Sequence, residues 1–189
     1  MRTLARTIAV AVIAAVPLVG FSPDAAGAKT VSPQQWMRSL CTALSDWQGT
    51  LENASTDLDD ALSATTDLPT AKTTVVDFLS QAVDATDTAI ADLRGAGVPD
   101  TTNGKKIRAR LLKGFGKAQA IFAEAEANAE GLPTDDLTSF KQAGQGIAAD
   151  ISNGGNEVEA GFGGISGLDK GDKLGKAAKS VKACSFLTS

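Results

Sequence analysis

Two cysteines and one row of cations are the side chains of this sequence with the most chemistry to offer. Cys41 and Cys184 are its 2 cysteines, near opposite ends of the chain. A thiolate can attack, bind metal or pair with a second sulfur. The chain has 0 histidines, so no Cys-His or Ser-His-Asp nucleophile can be assembled, and His-based zinc sites are excluded too. It also has 0 tyrosines, which removes a second common haem ligand and argues against haem carriage. No CxxC spacing occurs. An even pair in an oxidising compartment then reads as a disulfide. Closing a loop of about 140 residues would stabilise the fold by about 5 kcal/mol, the upper end of the chain-entropy model.

The cations lie between Lys105 and Lys117, a stretch with six basic residues and no acid. Lys106, Arg110, Lys113 and Lys117 recur at steps of four, three and four, which on a helix confines them to a stripe about 60° wide. Residues 46–100 hold eleven acids against two bases, so the molecule is electrically lopsided. The stripe reads first as the complement of those acidic helices within the fold. Its second reading is an anion-binding surface for lipid or wall polymer. Nucleic acid is not expected, because the net charge is −4 and no exposed aromatics interleave with the cations.

Other patterns carry less. Asp57, Asp59 and Asp60 suggest a calcium loop, but its sixth and twelfth positions fall on Leu62 and Leu68 instead of Gly and Glu. Gly171 to Ala177 has one spacer too few for a phosphate loop and lacks the Ser or Thr that reaches magnesium. Trp47-Gln48-Gly49 has a WxG form, yet it sits inside an apolar helical stripe and reads as core. An enzyme without His would need a Ser-Lys or paired-carboxylate arrangement, and none stands out. No catalytic residue, metal or cofactor is expected.

Five helical segments must position these residues. Ser32-Pro33-Gln34-Gln35 is an N-cap, a first-turn Pro and a Gln three residues on. The stripe Trp36, Leu40, Leu44, Trp47, Leu51, Leu58, Leu62 follows, and Leu68-Pro69 starts the next helix. There Val76, Leu79, Val83, Ile90 and Leu93 share a face, closed by Arg94-Gly95. A third begins near Asn103-Gly104 and shows Ile107, Leu111, Phe115, Phe122 and Ala125. The fourth starts at Thr134-Asp135-Asp136, a capping residue followed by two acids that suit the helix dipole, and carries Leu137, Phe140, Gly144, Ile147, Ile151, Val158, Phe162 and Ile165. Its glycines predict a break near Asn153-Gly154-Gly155. A last short helix over 172–185 presents Leu174, Val181 and Cys184. In an up-and-down bundle the fourth helix ends beside the start of the first, and a last helix climbing the first brings the sulfurs level.

The N-terminal segment has the form of an export signal. Arg2 and Arg6 precede an apolar run from Ile8 to Phe21, shorter than the roughly 20 residues of a membrane span, and Ala26-Gly27-Ala28 suits a signal peptidase. The expected organisation is a cleaved signal over 1–28 and one helical domain over 29–189, with a Gly-rich connector near 161–171. No transmembrane helix should remain after cleavage.

The chain resembles a loose group of small exported actinobacterial proteins of uncharacterised function. The resembling parts are the helix from Trp36 to Trp47 enclosing Cys41, and Leu93-Arg94-Gly95-Ala96-Gly97-Val98-Pro99 leading to Asn103-Gly104. The Gly-rich fourth helix and the ending Ala183-Cys184-Ser185-Phe186-Leu187 belong with them. The resemblance implies an envelope or extracellular setting and transfers no catalytic residues. The expectation is an all-α, four-helix-bundle-like protein with a short fifth helix and one disulfide, secreted or envelope-associated. It would act by binding, without catalysis, on an anionic envelope surface, on another exported protein, or on a small apolar ligand held among its helices.

Overall fold

The computed structural model describes residues 28–162 and 166–187. The expected export signal lies outside these residues except for its last position, as do residues 163–165 of the expected connector.

Four long helices alternate in direction. α1 spans Pro33–Ala64, α2 Leu68–Gly95, α3 Gly104–Glu130 and α4 Leu137–Phe162. Three of their starts carry a side-chain cap, while Asn103 before α3 makes no such bond, and α4 is capped by Asp136 in place of the expected Thr134. Ser32 Oγ accepts from the Gln35 amide at 3.2 Å. Asp67 Oδ2 accepts from the Thr70 amide at 3.0 Å, and Asp136 Oδ2 from the Ser139 amide at 2.8 Å. Each carboxylate satisfies a first-turn donor that the helix itself leaves open.

α1 packs on α2, α2 on α3 and α3 on α4, but among the described residues α4 does not pack along α1. The flank of α1 that α4 would close in a complete bundle is covered over its first half by α5, Lys173–Ser180, and by a 3-10 segment, Lys182–Leu187. Cys41 and Cys184 form a disulfide there, with Cα atoms 5.1 Å apart. The last helix is therefore shorter than expected. Val181 is extended, and Cys184 stands on the 3-10 segment.

Two short strands escaped the sequence reading. β1, Thr30–Val31, pairs in parallel with β2, Val98–Pro99, with Thr30 opposite Val98. The Val98 amide donates to the Lys29 carbonyl at 2.9 Å, and the Asp100 amide to Val31 at 2.8 Å. Gly97 has φ +80°, and a Cβ there would collide with the Lys29 carbonyl oxygen. That turn requires glycine.

The expected break in the fourth helix is corrected: α4 is helical through Gly154 and Gly155. A Cβ on Gly154 would strike the Ile121 side chain, so this glycine admits α3 to close approach at the cost of some helix propensity.

The core has two parts. One surrounds the disulfide and contains Trp36, Leu40, Ile107, Phe115, Leu174 and Val181. Trp47 packs against it, donating Nε1–H to Thr86 Oγ1 at 3.0 Å and meeting Phe115 edge to face at 5.3 Å. The other, at the opposite end, joins Leu79 of α2, Ala125 and Ala129 of α3, and Ile147 of α4.

Candidate functional site

The buried residues of α1 stop at Ala54. Leu58 and Leu62 continue its apolar stripe but are only half-buried. Opposite them runs an edge of α4 that no helix among the described residues covers, and between the two lies a cleft of about 380 Å3. Val75, Phe78 and Leu79 of α2 and Leu132 of the α3–α4 turn also line it. From α4 come Phe140, Gly144, Ile147, Ala148 and Ile151, with Lys141 and Gln145 as its polar members. Leu137, one turn before Phe140 and Lys141, is 52% exposed, a large cost in hydrated apolar surface for a helix start.

Local sequence explains the placement. Asp136 fixes the first turn of α4, while the Asp67 cap fixes α2. Steps of four, three and four from Phe140 to Gly144, Ile147 and Ile151 then keep one face toward the cleft. Gly144 adds room, since a Cβ at that position would meet no neighbour within 4 Å. Hydrogen bonds from Thr70 Oγ1 and the Thr70 amide hold the Asp67 carboxyl below its ordinary pKa. Ser139 Oγ, with the Ser139 and Thr138 amides, does the same for Asp136. Both carboxylates are therefore held in the charged form that suits the N-terminus of a helix.

Such a cleft can do little covalent chemistry. Its volume is within the roughly 300–1,000 Å3 of small-ligand sites, and its surface favours an apolar body. Among the described residues, no group of three or more His, Cys, Asp or Glu side chains could hold a metal ion. No helix among them is long and apolar enough to cross a membrane.

The four stripe residues Lys106, Arg110, Lys113 and Lys117 are all exposed on α3, beside the buried Ile107, Leu111 and Phe115. They stand in the half of α3 that meets the disulfide core and line none of the cleft. Arg108, from the same basic run, is drawn inward: its Nη2 donates to the Arg94 carbonyl at 3.2 Å, capping the end of α2.

The cleft residues were legible as helix faces but not as a site. Half-buried Leu62 and buried Leu40 occupy equivalent stripe positions. The available signal was one of length, since the stripe of α1 runs from Trp36 to Leu62 while the last helix is too short to cover it.

The fold and the cleft define a class: a disulfide-tied helical protein, with an opening between its first and fourth helices. Scans against protein-family models, curated proteins and solved structures find no match for the chain.

Proposed function

We propose that the chain is an exported, non-enzymatic binding protein that holds an apolar ligand in the cleft between α1, α2 and α4. The cleft's lining carries this reading: about 380 Å3 bounded by Leu, Val, Ile and Phe side chains that no helix among the described residues covers. The missing histidines support binding over catalysis. The Cys41–Cys184 bridge and the form of residues 1–28 support an oxidising, extracytoplasmic setting.

The test is titration of the purified chain with a neutral apolar fluorophore such as N-phenyl-1-naphthylamine. Saturable binding that Gly144→Leu abolishes supports the cleft, because the new side chain enters open space and leaves the backbone undisturbed. Absent binding, or equal binding by that variant, overturns the reading.

A second reading has its own observation, the common exposure of Lys106, Arg110, Lys113 and Lys117. In it the stripe attaches the protein to an anionic envelope surface. Cosedimentation with anionic vesicles should then weaken with salt and on neutralising the four cations. Unaltered attachment would discard this reading.

A further inference from the structure

The polar atoms of the cleft are placed on one edge of one helix. Among the described residues Lys141 is the single charged side chain lining it, and Gln145, four residues on, the single side-chain amide. Residues four apart on a helix lie one above the other, so ammonium and amide stand together on the same side of α4. Every other lining residue is apolar or glycine. The nearby acids of α1, Asp57, Asp59 and Asp60, are exposed and absent from the lining.

Resting on the cleft as a ligand site, we propose that its ligand is a single-chain amphiphile with an anionic head. The alkyl chain lies among Leu58, Phe78, Phe140 and Ile151, and the head sits at Lys141 and Gln145. The Lys141 ammonium can only donate, the Gln145 amide can donate or accept, and no carboxylate is among the described lining residues, so the head must accept a hydrogen bond from Lys141. A carboxylate or a phosphate monoester does so, and a quaternary ammonium does not. A volume of about 380 Å3 suits one chain better than the two of a bilayer phospholipid. The net charge of −4 opposes anions at long range, so a preference for an anionic head would have to arise locally, at Lys141.

The experiment displaces the neutral fluorophore with dodecanoate, dodecyl phosphate, dodecanol and dodecyltrimethylammonium from the wild type, Lys141→Gln and Lys141→Arg. Far-UV circular dichroism checks that helicity is unchanged. Lys141 is exposed, so its effect is that of a water-screened charge pair, about two- to fivefold. The affinity ratio of dodecanoate to dodecanol should fall by that factor in Lys141→Gln and stay unchanged in Lys141→Arg. A parallel fall for dodecyl phosphate assigns the site to anionic heads in general, and a fall for dodecanoate alone narrows it to fatty acids. Equal ratios in all three proteins, or tightest binding of the ammonium, overturn the head-group assignment while the cleft stands. Failure of the fluorophore and all four amphiphiles to bind removes the cleft reading itself.

Discussion

The two ends of α1 carry the same kind of stripe and meet opposite fates. At the first end Trp36 is 1% and Cys41 0% exposed, beneath α5, the 3-10 segment and the β1–β2 pair. At the other, Leu58 and Leu62 stay half-buried because α4 does not pack along α1 there. Sequence periodicity alone cannot separate these outcomes, since both halves are amphipathic to the same rule. What separates them is whether the rest of the chain supplies a cover. The chain closes one end covalently and leaves the other open.

The contrast is broken most directly by opening the closed end. Converting both Cys41 and Cys184 to Ala should lower unfolding free energy by about 5 kcal/mol, the upper end for a loop of this length. Urea denaturation of the oxidised protein and the double variant checks this. The loss should appear first around α5, with the cleft's ligand binding retained under folded conditions. Simultaneous loss of binding would show that the ends are not separate.

Side-chain truncation to Ala compares the two ends. Phe115 is 2% exposed and packs against Trp47, so Phe115→Ala should cost about 3–5 kcal/mol. Leu62→Ala removes a side chain that water already reaches and should cost about 1 kcal/mol. Equal costs in denaturation would mean that the cleft end is as tightly packed as the disulfide end. Gly144→Leu sharpens the same point with the opposite sign. Replacing a mid-helix glycine beside open space should raise stability by about 0.8 kcal/mol while abolishing fluorophore binding, a separation of stability from function that a packed core would not permit.

Much of the architecture was legible. Ser32-Pro33, Leu68-Pro69 and Asn103-Gly104 mark helix starts within a residue or so, and the parity of two cysteines in a chain read as exported points to their bridge. The strand pair was not legible, because two-residue strands have no periodicity and form by docking onto the Lys29 and Val31 carbonyls. Nor was the continuity of α4. Glycine lowers helix propensity locally, but contact of Gly154 with Ile121 across the α3–α4 interface outweighs it, as tertiary packing commonly does. The stripe on α3 was legible as a pattern and sits exposed as a pattern. The cleft was invisible because it consists of a neighbour's absence, which no residue encodes by itself.

Acid should reveal the smallest difference between the ends. Asp67 and Asp136 cap α2 and α4 where those helices begin, about two turns before Val75 and one turn before Phe140 of the cleft. Hydrogen bonds from Thr70 and from Ser139 and Thr138 lower their carboxyl pKa values below the ordinary 3.8. A depressed carboxyl pKa contributes stability that is complete above the unfolded value and is lost as pH falls through the folded one. Lowering the pH through this window should therefore loosen the first turns of α2 and α4 before the disulfide end responds. Amide hydrogen exchange read residue by residue should show Thr70 and Ser139 losing protection first. Replacing both acids by Asn keeps a side-chain acceptor at each cap but removes the titrating group, so the pH dependence of exchange in these two turns should flatten. If the two turns keep the wild-type pH dependence in that variant, the acid response of the cleft end originates elsewhere, and the caps position the cleft without controlling it.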